Sequence, residues 1–220
     1  MLNKTDLKLI LVSPDIEVFN AWNHYFTDLE NVEIVFGVFE DIKNFDCIVS
    51  PANSFGLMDG GIDAAITNFF GAQLMYNVQK RILEEFCGEQ PVGTSIIVET
   101  KHPEFPYLAH TPTMRAPMDI KHTDNVYLAM WAMLLSVYRF NSQTQHIKTI
   151  VCPGLGTGTG HVHPMEAARQ MALAYLHFVN PPKSLNWDFA TKRQLSIRYG
   201  GDFGFDIPYG TIFEIDKKNC

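Results

Sequence analysis

Residues 50–63 read SPANSFGLMDGGID and directly follow residues 47–49, a short apolar run that predicts a buried strand. Gly60 and Gly61 stand where such a strand would hand over to a helix, and glycine backbone can take positive φ and lie close to a ligand. A helix that begins near Gly61 would add N–H donors and the positive end of its dipole. The stretch therefore predicts a loop that can bind phosphate or another anion.

Asn53 and Asp63 bracket this loop with one amide and one carboxylate. A chemical interpretation gives both side chains to a bound ligand. A structural interpretation has Asn53 bonded to its own backbone in a tight turn and Asp63 as an acid in the first turn of a helix. The pattern alone leaves both interpretations open.

A second glycine loop, residues 154–164, reads GLGTGTGHVHP and again follows a strand-like run, residues 149–152. It is not a P-loop, because no lysine follows its glycines, and it is not a dinucleotide fingerprint, because no helix is expected before Pro164. Two such loops predict one shared cleft.

Both loops resemble those of the macrodomain family. The family motif VNAANxxLxxGGGVDxAI is similar to residues 49–66, VSPANSFGLMDGGIDAAI, and its motif GTGxGGxP is similar to residues 156–164, with His161 at one glycine position. Residues 32–39 mix β-branched and aromatic residues and predict a strand. Residues 40–42, Glu-Asp-Ile, follow it and resemble the family's Gly-Asp-Ile. The resemblance spans roughly residues 7–178 and implies a three-layer α/β/α sandwich with a mixed central sheet.

The resemblance also implies a ligand, ADP-ribose, and no other cofactor. It implies that Asp41 accepts from the adenine amino group while the next amide faces the ring. The implied ligand contacts are Asp41, Ile42, Ala52, Gly60, Gly61, Ile62, Gly156, Thr157, Gly158, Thr159, Gly160 and His161. Without the resemblance, Asp41 would be read as an exposed loop acid.

In MacroD-like hydrolases, the residues that match Asn53 and Asp63 lie at the distal ribose, where they orient the substrate and help to activate water. The resemblance thus implies an ADP-ribosyl hydrolase that releases mono-ADP-ribose from acidic protein side chains or a related derivative. The alternative is a reader that binds ADP-ribose or another nucleotide metabolite without turnover, and an interaction module that has lost its ligand is a third. Ser50 and Asp59 depart from the motif, which has asparagine and glycine there.

Composition excludes several other classes. With 220 residues, 46% of them hydrophobic and 19% charged, the chain suits a globular protein, and no apolar run is long enough for a membrane span. No convincing signal peptide begins it, so we expect a cytoplasmic protein. The net charge of −7 argues against general nucleic-acid binding, which usually needs a basic face. The expected partners are ADP-ribose or an ADP-ribosylated protein.

The cysteines and histidines predict no metal site. The four cysteines are far apart without CxxC spacing and are expected to be reduced, and the eight histidines fall in no recognised ligand spacing. His110 ends a strand predicted over residues 107–110 and is either a ligand contact or a structural group. Arg115 is either a contact to a substrate anion or a solvated charge.

Domain organisation is expected to be simple. Residues 1–180 form the macrodomain-like unit, and residues 181–220, which follow a proline-rich break, form an appended segment packed on it. Short strands are expected near residues 195–198 and 211–215. Ser13, followed by Pro14, predicts the start of the first helix.

Overall fold

Six strands form one sheet in the computed structural model, which describes residues 7–144 and 147–197. The strand order is β2-β1-β6-β3-β5-β4. Neighbouring strands run parallel, except that β4 is antiparallel to β5. The strands are β1 Lys8–Ser13, β2 Val32–Phe36, β3 Cys47–Ser50, β4 Ile96–Glu99, β5 Tyr107–His110 and β6 Thr149–Cys152. The mixed sheet is therefore confirmed.

Helices cover both faces of the sheet and give it three layers. Along β1, Leu9 and Leu11 join the core beneath α1, α4 and α5, whereas Ile10 and Val12 join the core beneath α2 and α3. This alternation follows from the two-residue period of a strand. The helices are α1 Ile16–Phe26, α2 Gly61–Phe70, α3 Gln73–Phe86, α4 Asn125–Thr144, α5 Pro164–Val179 and α6 Trp187–Ile197. The predicted α/β/α sandwich is confirmed.

The first helix begins later than its sequence predicts. Asp15, rather than Ser13, is the N-cap, and its Oδ1 accepts from the Glu17 amide at 2.8 Å. Ser13 is still the last residue of β1, and its hydroxyl accepts from the Asp15 amide at 3.1 Å. Because the helix begins at Ile16, the residue directly before it is Asp15, whose side chain takes the first helical amides, so the prediction of a Ser13 cap was wrong.

The second strand is shorter than predicted because its partner ends. We expected strand geometry to continue to Phe39, but β2 stops at Phe36, which pairs with Ser13 at the end of β1. With no further strand to pair with, the chain turns into a short 3₁₀ helix, Phe39–Asp41.

The strand predicted near residues 195–198 is wrong, because residues 195–197 belong to α6. Asn186 accepts from the Phe189 amide at 2.8 Å near the start of this helix, and an exposed i,i+4 ion pair joins Lys192 to Asp188. The strand expected at residues 211–215 lies outside the described residues. The division at residue 180 stays a prediction.

No helix within residues 7–144 and 147–197 has the length and apolar character needed to cross a membrane. Cys47 and Cys152 are free and buried, and burial raises the pKa of both thiols. Cys87 is exposed at the end of α3.

Candidate functional site

The two glycine loops leave the same edge of the sheet side by side. The first loop follows β3 and the second follows β6, and these strands are parallel neighbours with Cys47 opposite Ile150. Open α/β sheets bind ligands at the carboxyl ends of their strands, where neighbouring connections diverge. The topology therefore gives the loops a common position suited to one cleft.

Asp41 lies at the far end of the same edge. Its turn follows β2, which is separated from β3 by β1 and β6. Strands in a sheet are spaced by just under 5 Å, so three intervals separate the two strand ends by about 14 Å. This arrangement suits an elongated ligand, with one end at Asp41 and the other at the first loop.

The Asn53 side chain holds the first loop by hydrogen bonds to the backbone of that loop. Its Oδ1 accepts from the amides of Phe55 and Leu57 at 3.1 and 3.3 Å, and its Nδ2 donates to the Leu57 carbonyl at 2.8 Å. This is the structural role considered for it from the sequence. A carboxamide nitrogen has two hydrogens, so one N–H of Asn53 is still available to a ligand.

The loop is also fastened to the segment after β5. Asn53 forms an isolated bridge with Met114, and the Ser54 amide is 3.1 Å from the Met114 and Arg115 carbonyls. Ala52 is buried, and its carbonyl accepts from the Thr113 amide at 3.2 Å. These bonds give the first loop a defined backbone.

Free N–H groups mark the start of α2. Gly60 is the N-cap and offers no side-chain bond, and the amides of Gly61, Ile62 and Asp63 make no hydrogen bond to any described residue. The first amides of a helix lack partners within it, and they carry the positive end of its dipole. A Cβ added to Gly60 or Gly61 would meet nothing within 4 Å, so the approach to these amides is open.

Asp63 is a buried carboxyl group beside these amides. It is 9% exposed, and its Oδ1 accepts from the Ser50 hydroxyl at 2.6 Å. Burial raises the pKa of Asp63 from 3.8 to about 6, and the Ser50 hydrogen bond opposes that rise only in part. A carboxyl with such a pKa can exchange a proton near neutral pH.

The second loop uses its glycines in two ways. Gly156 has φ +72, and a Cβ there would lie 2.8 Å from Val126, while one on Gly160 would lie 2.6 Å from the Gly156 carbonyl. Gly158 has open space instead. The amides at Thr157, Gly158, Thr159 and Gly160 donate to nothing in the described part of the chain. The loop thus combines closely packed backbone at Gly156 and Gly160 with exposed backbone at Gly158 and Thr159.

His161 and the turn at Asp41 are both at the surface. His161 is exposed with φ +52, and its Nδ1 lies 3.8 Å from Asp119. Asp41 is exposed, whereas the Ile42 amide donates to the Phe39 carbonyl at 3.0 Å within the turn. Asp41 is therefore accessible to a ligand, while the Ile42 amide already has a partner.

His110 is a buried group held by a residue that sequence analysis missed. Its Nδ1 lies 2.7 Å from the Oε1 of Gln90, and the Gln90 amide nitrogen donates to the His110 carbonyl. Burial lowers the pKa of His110 to about 3, so the ring is neutral. Gln90 comes from an irregular segment, and nothing in its local sequence predicts this contact.

Arg115 forms an exposed ion pair with Glu89 at 2.7 Å, which agrees with a solvated charge. Ser50 is the other contributor that the sequence did not reveal, since it was seen only as a departure from a motif. The described residues contain no group of three or more side chains suited to a metal ion.

Comparison with known proteins gives a family for this chain. The family model described as "Macro domain" matches residues 49–171, which include both glycine loops. The chain belongs to the macrodomain family. An uncharacterized protein of Aquifex aeolicus is 30% identical over 141 residues, which are 64% of this chain and 78% of that protein.

Solved macrodomains share the fold. The macrodomain of Mycobacterium tuberculosis DarG matches with a TM-score of 0.51 and 17% identity, over 64% of this chain and 86% of that one. A variant of the Oceanobacillus iheyensis macrodomain, solved with ADPR, matches with a TM-score of 0.53 and 18% identity, over 89% of this chain and 95% of the other. At such low sequence identities, these matches support the fold of this macrodomain and nothing further.

Proposed function

We propose that this macrodomain binds ADP-ribose along the carboxyl edge of its sheet and hydrolyses the bond between ADP-ribose and an acidic protein side chain. The observation that carries the proposal is the pairing of free amides at the start of α2 with the buried Asp63 carboxyl in the same helical turn. One feature can hold a diphosphate, and the other can act on a sugar attached to it.

Binding would rest on backbone donors rather than on cations. Neither loop contains lysine or arginine, yet free amides at a helix start and in a glycine loop bind phosphate oxygens well. Asp41 would accept from the adenine amino group at the other end of the ligand. The Oceanobacillus iheyensis variant solved with ADPR supports this choice of ligand.

Hydrolysis would need one water molecule and one base. Water attacks the anomeric carbon of the distal ribose, the bond from that carbon to the acceptor carboxylate oxygen breaks, and Asp63 takes the proton from the water. The pKa of about 6 makes Asp63 a stronger base than an exposed aspartate while leaving it ionised near neutral pH. Asn53, already fixed by its loop, would orient the ribose hydroxyls through its remaining N–H.

A second candidate function is binding without turnover. The hydrogen bonds of Asn53 favour it, because they account for this side chain as a support of the loop rather than as a reacting group. Fold and ligand site do not establish a reaction. Reader and hydrolase would share the same amides and the same Asp41 contact.

The test is to incubate the protein with a substrate mono-ADP-ribosylated on glutamate or aspartate and to follow the release of ADP-ribose. We expect Asp63→Ala to slow release by about 100-fold or more, with a much smaller change in ADP-ribose affinity. Asp59→Ala is the matched control, because Asp59 is an exposed carboxylate of the same loop. Asn53→Ala should weaken both binding and rate.

Two outcomes oppose the hydrolase. The first is that the parent protein releases no ADP-ribose but binds it saturably near micromolar concentrations, which corresponds to about −8 kcal/mol. This outcome would establish the reader instead. Full release by Asp63→Ala would assign the chemistry to another residue. Absence of any binding at millimolar ADP-ribose would remove both candidates.

A further inference from the structure

Among the described residues, Ser50 is the one whose side chain forms a hydrogen bond with the Asp63 carboxyl. Ser50 ends β3 and lies two positions after Ile48, so both side chains project to the sheet face that carries α2 and α3. Asp63 lies in the first turn of α2, on that face. Their hydrogen bond of 2.6 Å joins the end of the strand to the start of the helix across the whole first loop.

This bond makes the two carboxyl oxygens of Asp63 unequal. Oδ1 is occupied by Ser50, while Oδ2 accepts no hydrogen bond from any residue within 7–144 and 147–197. Ser50 is fully buried, so water does not compete for its hydroxyl. The carboxyl cannot rotate to exchange its oxygens without breaking the bond inside a dry environment, where hydrogen bonds are strongest.

We propose that Ser50 is a positioning residue, which fixes the Asp63 carboxyl so that Oδ2 is the oxygen presented to substrate and water. The role in catalysis rests on the proposed hydrolysis, whereas the hold on the carboxyl does not. Ser50 itself touches no reacting atom. It acts by orienting the base and by stabilising its ionised form.

No other described side chain near Asp63 orients its carboxyl group or adds a charge beside it. His110 is opposite Ser50 in the β3–β5 ladder, but its ring is neutral and its Nδ1 is engaged with Gln90. Asp59 in the loop is exposed. Burial and the Ser50 hydrogen bond are the two influences on the pKa of Asp63, and no charged side chain of α2 or α3 adds to them.

The experiment is an NMR titration of the Asp63 carboxyl carbon in the full chain, for the parent, Ser50→Ala and Ser54→Ala. Ser54 is the matched control: it is a buried serine of the same loop, and its hydroxyl donates to the Met114 carbonyl instead. We expect Ser50→Ala to move the titration midpoint of Asp63 upward by about 1 to 2 pH units, as loss of a hydrogen bond to a charged group predicts. Ser54→Ala should leave the midpoint in place.

Release of ADP-ribose then tests the catalytic part. The acidic limb of the pH–rate profile should move upward by the same amount in Ser50→Ala, ADP-ribose affinity should stay within about twofold, and Ser50→Thr, which keeps the hydroxyl, should restore the profile. If Ser50→Ala does not fold, Ser50→Cys supplies a weaker donor of similar size and should give an intermediate midpoint.

The failures can be told apart. An unchanged midpoint in Ser50→Ala, or equal shifts in Ser50→Ala and Ser54→Ala, would overturn the positioning role whatever the activity. If the Asp63 midpoint shifts in Ser50→Ala but the parent protein releases no ADP-ribose, hydrolysis would be refuted and the hold of Ser50 on Asp63 would stand.

Discussion

Asp63 is a functional candidate that should weaken the fold it belongs to. Its pKa is raised from 3.8 to about 6 by burial, so the folded state binds the proton more tightly than the unfolded state does. The contribution of Asp63 to stability should therefore be most favourable below about pH 4 and should be lost as the pH rises through 6. The full difference corresponds to about 3 kcal/mol at neutral pH.

Asp63→Asn should consequently raise the free energy of unfolding near neutral pH by up to about 3 kcal/mol while abolishing release of ADP-ribose. The amide oxygen can still accept from Ser50, and no buried charge remains. Denaturant unfolding of parent and variant between about pH 4 and pH 8 measures the effect. Equal stabilities at every pH would mean that Asp63 is not a desolvated carboxyl.

Asp41 should contribute to binding and very little to folding, because it is exposed on a short turn. Asp41→Ala is expected to weaken ADP-ribose binding by about 1 to 3 kcal/mol through the loss of a charge-assisted hydrogen bond to adenine. Calorimetry measures the affinity, and thermal unfolding should be unchanged. Glu40→Ala, one position earlier, is the control, and equal losses in both variants would point to general charge rather than to recognition.

At the scale of single residues, the sequence predicted which side chains are candidates for the site, but not their hydrogen-bond partners. The motif pointed to Asn53 and Asp63, but not to the amides of Phe55 and Leu57 that Asn53 engages or to the hydroxyl that Asp63 accepts from. Ser50 is 13 positions from Asp63. Such contacts depend on how a strand end and a helix start meet in space, and no local pattern encodes that meeting.

At the scale of elements, the glycines of the second loop have different structural roles. Gly156 has φ +72 and closely approaches Val126, whereas Gly158 has neither constraint. Gly156→Ala should lower the free energy of unfolding by about 1 to 3 kcal/mol, because the new Cβ is strained and crowded.

Gly158→Ala should leave the melting temperature nearly unchanged and weaken ADP-ribose binding, since its methyl group would enter the space in front of the free amides. The pair is measured by thermal unfolding and calorimetry on the same samples. Stability loss in Gly158→Ala, with none in Gly156→Ala, would reverse the assignment.

Element types were largely predictable, while element ends depended on neighbours. Tyr107–His110 was predicted with its observed bounds, because Pro106 and Pro112 stand close to its two ends in the sequence. The end of β2 instead coincides with the end of β1, and residues 195–197 are helical where Arg169 of α5 donates to the Ile197 carbonyl. These are tertiary effects that override local propensity.

At the scale of the whole molecule, Arg169 joins the last described helix to the domain. Its guanidinium pairs with Glu166 at 2.7 Å and donates to the carbonyls of Ser196 and Ile197, which end α6. Arg169 and Glu166 are both nearly fully buried. Arg169 thus satisfies two of the carbonyl groups that a helix end leaves without partners, and Glu166 balances its charge.

Arg169→Leu should lower the free energy of unfolding by about 3 to 5 kcal/mol, because it leaves the Glu166 charge buried without a partner. The double variant with Glu166→Leu should recover much of that loss. Hydrogen exchange should increase across α6 in Arg169→Leu. Lys192→Ala, which removes an exposed ion pair on α6, is the control and should change little. Unchanged exchange in Arg169→Leu would show that other contacts hold α6.

The central place of β6 bears on how this chain folds during synthesis. Among the strands that the structure describes, β6 comes last in the sequence, yet it lies between β1 and β3 and pairs with both. Until residues 149–152 leave the ribosome, the other strands can pair only as β1–β2 and as β3–β5–β4, and the open edges of such half-sheets would invite incorrect pairing. We expect ribosome-tethered chains that end at residue 144 to be cleaved readily by proteases, and chains that expose α5 as well to become resistant. A macrodomain of this topology would therefore need shelter from aggregation late in its synthesis, when most of its length is already made.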